Sequence, residues 1–179
     1  MLNSERIYLR LLEKDDLPSR VKWVNDVEVR ETLMFDWPLS ISKTEKWFQN
    51  QLMDESKVNF SIIHKETGKL IGMTGLLDIN LKHRKAQFYM TIGEKDFHGQ
   101  RLPDENIPMV LEYAFEELGL NKVYLYTINI NDRARHVYER NGFNPEGVLR
   151  EHYFCVGKLQ DLHVYSVLKN EWFENIKKK

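Results

Sequence analysis

Alternating apolar and polar residues, together with short runs rich in β-forming residues, predict seven β-strands along the chain. In the first of them, Ile7, Leu9 and Leu11 alternate with Tyr8 and Arg10, which is typical of a strand with one buried face. Turn residues separate the second strand from the third, and others separate the last two. The predicted strands cover residues 7–11, 59–64, 70–77, 85–92, 123–128, 143–153 and 159–168, with the last turn at 156–158.

Apolar residues at three- and four-residue spacing predict about four helices. The clearest one covers residues 107–118 and ends at Gly119, a residue that favours helix termination. A second covers residues 133–140, and a third covers 17–25. The fourth is expected to begin at Ser42, which has capping-box spacing to Glu45. The stretch 26–41 between the third and fourth is expected to be irregular.

The order of these elements is β-α-α-β-β-β-α-β-α-β-β, which predicts an α+β (α/β) fold. Its mixed, mostly antiparallel sheet of six or seven strands is flanked by about four helices. A helix crosses over between the fourth and fifth strands, so these two are expected to lie parallel. The length of 179 residues suits a single domain over residues 1–179.

The charge balance excludes some partners and leaves others open. Lys and Arg number 26 and Asp and Glu 27, so the formal net charge of −1 gives no general attraction to nucleic acid or to a membrane surface. Cys155 is the single cysteine, no long apolar run is present, and charges interrupt the N-terminal apolar segment. These features predict a cytoplasmic protein, and no spacing of His, Cys and Asp suggests a metal site.

Two segments carry a family resemblance. FYMTIGEKDFHGQRLPDENIPMVLEYAFEELGLNKVYL and NDRARHVYERNGFNPEGVLREHYF resemble the GNAT N-acetyltransferases, in the branch of the ribosomal-protein, spermidine and amino-sugar enzymes. The opening SERIYLRLLEKDD is similar as well, so the resemblance covers nearly the whole chain. It implies a GNAT fold whose fourth and fifth strands splay apart. It also implies acetyl transfer from acetyl-CoA, as co-substrate, to a primary amine.

The resemblance also implies which residues hold the cofactor. The turn before the long helix is expected to bind the pyrophosphate, since a helix N-terminus favours anions. The fourth strand would pair with the pantetheine arm and stabilise the oxyanion, while Asn131 and Ala134 accommodate that arm. The predicted cofactor-binding residues are Met90, Thr91, Ile92, Gln100, Arg101, Leu102, Pro103, Asp104, Glu105, Asn131, Ala134 and Tyr138.

The turn departs from the family pattern at two positions. Where the family has glycines, this chain has Arg101 and Pro103, and Pro103 has no N–H to offer a phosphate. Two interpretations stay open: weaker cofactor binding, or a loop in which the Arg101 guanidinium itself grips phosphate.

The chemistry implied by the resemblance needs an acid and a base. Tyr138 would protonate the leaving thiolate, although a tyrosine packed on an apolar helix face is the alternative interpretation. Glu94 is the first candidate for the base, followed by Asp96, His98, Glu151 and His152, and each is also an ordinary surface residue type. Cys155 lies outside the cofactor segments, so the amine is expected to attack the thioester directly.

Several alternatives remain on the acceptor side. A small-molecule amine such as a polyamine or a nucleotide-linked amino sugar is favoured by resemblance of the C-terminal segment, and a protein N-terminus is an alternative. The other alternative is a GNAT-fold acyl-CoA-binding or regulatory protein with little catalysis, motivated by Arg101 and Pro103. The resemblance also implies that a homo-oligomer is an option.

Overall fold

One mixed sheet organises the computed structural model, which describes residues 1–30, 34, 37–155 and 157–177. Its eight strands lie in the order β1-β2-β3-β4-β5-β6-β8-β7. All neighbours are antiparallel except β5 and β6. The strands are β1 Leu2–Asn3, β2 Ile7–Leu11, β3 Val58–His64, β4 Leu70–Asn80, β5 Lys85–Ile92, β6 Lys122–Ile128, β7 Asn144–Cys155 and β8 Lys158–Leu168.

Six α-helices accompany the sheet in the described residues. Two of them, the four-residue α2 and the C-terminal α6, were not predicted, and the two-residue β1 brings the strands to eight rather than seven. Residues 31–33 and 35–36 of the predicted irregular stretch, and residue 156 of the predicted hairpin turn, lie outside the described residues. The helices are α1 Leu17–Asn25, α2 Val27–Arg30, α3 Ile41–Gln51, α4 Pro103–Glu112, α5 Asp132–Arg140 and α6 Lys169–Lys177.

The predicted parallel pair is confirmed, and it splays. Strands β5 and β6 pair from Lys85 opposite Lys122 to Gln87 opposite Tyr124, and then separate. Beyond that point β5 stays bonded to β4 on its other side, as far as Ile92 opposite Gly72. The sheet therefore opens a gap between the second halves of β5 and β6.

The apolar pattern of the long helix is confirmed by its burial. Ile107, Leu111 and Phe115 are fully buried against the sheet, and a π-helical turn, Tyr113–Glu117, extends α4. Gly119 ends it at φ +63°, in the left-handed region that a glycine adopts without strain. This packing fixes the start of α4 at the open end of the sheet.

The helix start predicted at Ser42 is two residues too late. Ser40 is the N-cap of α3, and its hydroxyl accepts a hydrogen bond from the Lys43 amide at 3.2 Å. The preceding residue, Leu39, exchanges two hydrogen bonds with the Asn25 side chain, of 2.8 and 3.0 Å. The tether to the end of α1 therefore sets where α3 begins, which local capping preferences do not reveal.

Candidate active site

A cavity of about 910 Å³ occupies the gap between the separated strands. One end is walled by α5 and by the loop that leads into α4, and the other by α1 and α3. Residues of both strands line the middle, including Met90, Thr91 and Ile92 from β5 and Thr127 and Ile128 from β6. The three predicted residues of β5 thus lie at the cavity.

The loop before α4 presents open backbone amides. Among the described residues, the N–H groups of Gly99, Gln100, Arg101 and Leu102 donate to no protein acceptor. Gly99 and Arg101 both have positive φ, at +81° and +58°, so Arg101 adopts the backbone that a glycine would. Consecutive amides in such a turn, at the start of a helix, form a concave site suited to an anion.

The side chains of this loop divide between the cavity and the protein. Arg101 and Pro103 line the cavity, whereas Leu102 is fully buried. Gln100 donates to the Asp96 carbonyl at 2.8 Å. The side chains of the predicted residues Gln100, Leu102, Asp104 and Glu105 are therefore not part of the cavity wall.

Two carboxylates of the first helical turn are held away from the cavity. Asp104 accepts hydrogen bonds from Arg140 at 2.8 Å and from Asn141 at 2.9 Å. Burial alone would raise the pKa of Asp104, because it disfavours the charged carboxylate. The hydrogen bonds from Arg140 and Asn141 outweigh this effect and leave the pKa below its ordinary value. Glu105 accepts from Ser4 at 2.7 Å and from the Arg6 amide at 2.8 Å, which ties α4 to the start of β2.

Asn131 and Ala134 lie at the cavity where α5 begins. Asn131 is the N-cap, and its Oδ1 accepts from the Ala134 amide at 3.1 Å. Its Nδ2 donates to no residue that the structure describes, which leaves that amide nitrogen available to a ligand carbonyl.

Tyr138 lies one turn beyond Ala134 on α5 and lines the cavity. It is 9% exposed, and its ring packs edge-on against Phe88 and Phe143, with ring centres 6.4 and 5.8 Å away. Burial raises the pKa of Tyr138 to about 12, because the phenolate would lose hydration. The side chain thus combines a packing role with a protonated hydroxyl beside the cavity.

Glu94 lies beyond the end of β5 and does not line the cavity. Its carboxylate accepts hydrogen bonds from Lys69 at 2.7 Å, from the Trp23 indole at 2.8 Å and from Lys22 at 3.0 Å. These donors, Lys69 first, lower the pKa of Glu94 to about 2, and such a carboxylate is a weak base. The role of Glu94 as the base stays a prediction that these contacts do not favour.

Of the other base candidates, His98 alone lies at the cavity. Its Nε2 is 2.8 Å from the Ile92 carbonyl oxygen, which can only accept, so Nε2 carries the hydrogen. Asp96 does not line the cavity, and Glu151 and His152 lie on the β7–β8 hairpin at a bulge in the strand register.

The opposite end of the cavity contains residues that sequence reasoning did not single out as functional. Arg20 of α1 has its guanidinium carbon 4.2 Å from the ring centre of Trp47, and both line the cavity. Tyr89 of β5 donates a hydrogen bond to Asn59, and both line this end as well. Neither Arg20 nor Tyr89 belongs to a recognisable sequence motif. Only the pairing of β5 and the packing of α1 bring them together.

Other chemistry is not seen in the described part of the chain. No three His, Cys, Asp or Glu side chains there are grouped so that they could hold a metal ion. Within the same ranges, no helix is long and apolar enough to span a membrane. Cys155 is partly exposed at the end of β7, away from the cavity lining.

Comparisons with known proteins agree with this arrangement. The family model described as acetyltransferase (GNAT) domain matches residues 6–144. Spermidine N(1)-acetyltransferase of Vibrio cholerae serotype O1 is 30% identical over 175 residues, covering 96% of this chain and 97% of that protein. A putative ribosomal N-acetyltransferase of Bacillus subtilis is 30% identical, covering 94% of each chain.

A solved structure supports the same assignment. The crystal structure of spermidine N-acetyltransferase from Vibrio cholerae in complex with CoA and spermine matches with a TM-score of 0.88 and 30% identity. The match covers 94% of this chain and 98% of that one. The chain therefore belongs to the GNAT family of acetyltransferases and is an acetyl-CoA-dependent N-acetyltransferase.

Proposed function

We propose that residues 1–179 form a single acetyltransferase domain that moves an acetyl group from acetyl-CoA to the primary amine of a small molecule. The observation that carries this proposal is the cavity between β5 and β6, which runs from open amides at α4 to the Tyr138 side chain. A related structure with CoA and spermine supports both halves of the reaction. The single cysteine, Cys155, is consistent with a reducing cytoplasm.

The cofactor would lie with its pyrophosphate at the loop before α4. The open amides of residues 99–102 and the partial positive charge of the helix N-terminus favour an anion there. Arg101 lines the same end, and its guanidinium can add charge-assisted hydrogen bonds. Pro103 takes away one possible N–H donor at the first position of α4, where the N–H has no partner within the helix. The four amides that precede it stay open to an anion.

The pantetheine arm would follow β5. Residues Met90, Thr91 and Ile92 have no strand partner on the side of β6, so their outward backbone groups can bond the arm and the thioester carbonyl. An N–H aimed at that carbonyl would stabilise the oxyanion formed on attack. The Asn131 Nδ2 group supports the same placement from the start of α5.

The reaction proposed is direct transfer. The neutral amine attacks the thioester carbon, the C–S bond breaks, and the sulfur takes a proton from the Tyr138 hydroxyl. The nitrogen, which becomes positively charged on attack, releases one proton to solvent to give the amide, and the phenolate recovers one proton from solvent. A phenol with a pKa of about 12 stays protonated at neutral pH, as a proton donor must.

The names of the relatives give two different classes of acceptor. The spermidine acetyltransferases point to a polyamine, and the putative ribosomal N-acetyltransferase points to a ribosomal acceptor. A cavity of about 910 Å³ shared with the cofactor suits a small molecule better than a polypeptide. The edge strand β7 is mostly exposed along its length, including Val148 and Phe154, which is consistent with assembly of identical chains.

Two measurements test the proposal. Acetyl-CoA should raise the unfolding temperature, since a ligand of the folded state stabilises it. Free thiol should then be released in the presence of primary amines, followed across a panel of polyamines, amino sugars and peptide N-termini. Binding without thiol release on any amine would favour the non-catalytic alternative. Absence of binding would contradict the cofactor assignment.

A further inference from the structure

Arg6 contacts the loop before α4 from outside the cavity. Its guanidinium Nη1 donates a hydrogen bond to the Gln100 carbonyl oxygen at 2.9 Å, across 94 positions of the sequence. Arg101, the next residue of the loop, lines the cavity, whereas Arg6 is not part of the cavity wall. Arg6 and the cavity therefore lie on different sides of the Gln100–Arg101 peptide.

The Arg6 side chain is held in place by Glu105 of α4. Its Nε donates to Glu105 Oε1, and its backbone N–H donates to Oε2 at 2.8 Å. The Ser4 hydroxyl donates to the same Oε2 at 2.7 Å. Because the Glu105 side chain is 17% exposed, little water competes for these contacts. The planar guanidinium thus reaches the loop in a fixed orientation, with Nε on the carboxylate and Nη1 on the carbonyl.

The hydrogen bond from Arg6 determines where the next amide of the loop points. The Gln100–Arg101 peptide is trans, so its C=O and its N–H point in opposite directions. Since the Gln100 carbonyl points at Arg6, the Arg101 N–H points away from Arg6, towards the side on which Arg101 lines the cavity. This N–H is one of the open amides of the loop.

The backbone of Arg101 favours the opposite orientation of the same peptide. Its φ of +58° lies in the left-handed region, which is unfavourable for a residue with a side chain. Rotating the Gln100–Arg101 peptide by about half a turn would bring this φ into the negative range that such residues prefer. The rotation would also turn a carbonyl oxygen towards the cavity, where it would repel a phosphate. A glycine has little preference for either sign of φ, so the need to hold this peptide arises from Arg101.

We propose that Arg6 is a positioning residue for the acyl donor, which holds the Gln100–Arg101 peptide so that the Arg101 N–H meets the pyrophosphate of acetyl-CoA. The inference rests on the proposed function, because that function places the pyrophosphate at this loop. Arg6 acts through the peptide and not by contact with the cofactor. Glu105, predicted to bind the cofactor, acts one step further away by holding Arg6.

Two acyl donors distinguish this role from a general effect on folding. S-Acetylpantetheine has the thioester and the pantetheine arm of acetyl-CoA but no pyrophosphate. Arg6→Gln should raise the KM for acetyl-CoA by roughly tenfold or more, the usual effect of one hydrogen bond to a charged group. Its kcat, and its kcat/KM for S-acetylpantetheine, should change by less than about twofold. Arg6→Lys keeps the charge but not the fork of donors, and its KM for acetyl-CoA should lie between the two.

Lys65→Gln is the matched control. The Lys65 ammonium donates to the Ser4 carbonyl oxygen, so it stabilises the same N-terminal segment through a hydrogen bond that does not involve the loop. Its loss should leave the ratio of kcat/KM for the two donors unchanged.

The Arg101→Gly background tests the reason for the effect. Arg6→Gln should raise the KM for acetyl-CoA by a smaller factor there than in the wild-type chain, because a glycine adopts the positive φ without strain. An equal factor in both backgrounds would contradict the link between Arg6 and the Arg101 backbone.

Two outcomes separate this inference from the proposed function. If the wild-type chain prefers acetyl-CoA and Arg6→Gln lowers kcat/KM for both donors equally, the positioning role is overturned while the proposed function stands. If the wild-type chain uses the two donors with equal kcat/KM, the proposed pyrophosphate site fails and the role of Arg6 fails with it.

Discussion

Replacing Glu94 with glutamine separates a structural carboxylate from a catalytic base. The side chain is 12% exposed and receives hydrogen bonds from Lys69, Trp23 and Lys22. Glutamine keeps the shape and one acceptor, so the Trp23 bond can persist while both ion pairs are lost. We expect a less stable enzyme with nearly unchanged turnover.

The size of the effect follows from the pKa of Glu94. A shift from 4.5 to about 2 corresponds to at most ~3 kcal/mol of stability at neutral pH. The Lys22 and Lys69 side chains are 69% and 45% exposed, so solvent and salt screen both pairs. We therefore expect a loss of about 1–2 kcal/mol, equivalent to roughly 2–8 °C in Tm for a chain of this size.

The pH dependence has a definite sign. Because the folded-state pKa of Glu94 is lowered, its stabilisation is present above about 4.5 and is lost as the pH falls towards 2. Chemical denaturation at several pH values should show the free-energy gap between the wild-type chain and the Glu94→Gln variant narrowing in that window. Glu66→Gln, an exposed carboxylate in the neighbouring turn, is the matched control and should change little.

Kinetics decide between the two roles of Glu94. If the carboxylate only fixes the end of β5, kcat should fall by less than about threefold, whereas loss of a general base would cost about 10²–10⁴-fold. A large fall in kcat at unchanged stability would refute the interpretation that Glu94 is only structural, and would support Glu94 as the base.

Three further changes address the acid, the phosphate loop and a close packing contact. Tyr138→Phe should lower kcat by about 10²–10⁴-fold with acetyl-CoA affinity intact, and an unchanged rate would remove the proposed acid. Arg101→Gly relieves a left-handed backbone at φ +58° and should hold or raise Tm, while weakening acetyl-CoA binding about three- to thirtyfold if the guanidinium binds phosphate. Gly93→Ala should cost at least about 1–3 kcal/mol in denaturation, because its Cβ would lie 2.0 Å from the buried Trp23 ring, and a stable variant would contradict that packing.

The sequence was sufficient for most of the fold because its long elements are strongly patterned. Strands β5 and β6 and the helix between them were placed to within a few residues, and their parallel pairing follows from the crossover. Of the missed elements, β1 and α2 are short, with two and four residues, whereas α6 has nine. Helix α6 forms because Trp172 packs on Phe115, a contact between distant residues that no local pattern reports.

The candidate site divides in the same way. Motif positions such as Asn131 and Tyr138 lie at the cavity, since the motif fixes one face of a single helix. Arg20 is different, because its position at the cavity depends on how α1 packs against α3 and β5. Glu94 shows the opposite outcome, because the sequence predicted a catalytic role and the structure places the residue outside the cavity lining. Its two lysine partners lie about 70 and 25 residues away in sequence, and only the tertiary structure brings them together.

The two substitutions in the phosphate loop have different physical consequences. Pro103 suits the first position of α4, where its fixed φ is favourable and its missing N–H had no partner. Arg101 instead holds a left-handed backbone, which costs a residue with a side chain about 1–2 kcal/mol relative to glycine. Asp104 is paired with Arg140, and Arg101 lines the cavity. A phosphate bound there would offset the strain of the left-handed Arg101 backbone. The loop therefore keeps an anion site in which a guanidinium contact replaces the close backbone approach that a glycine allows.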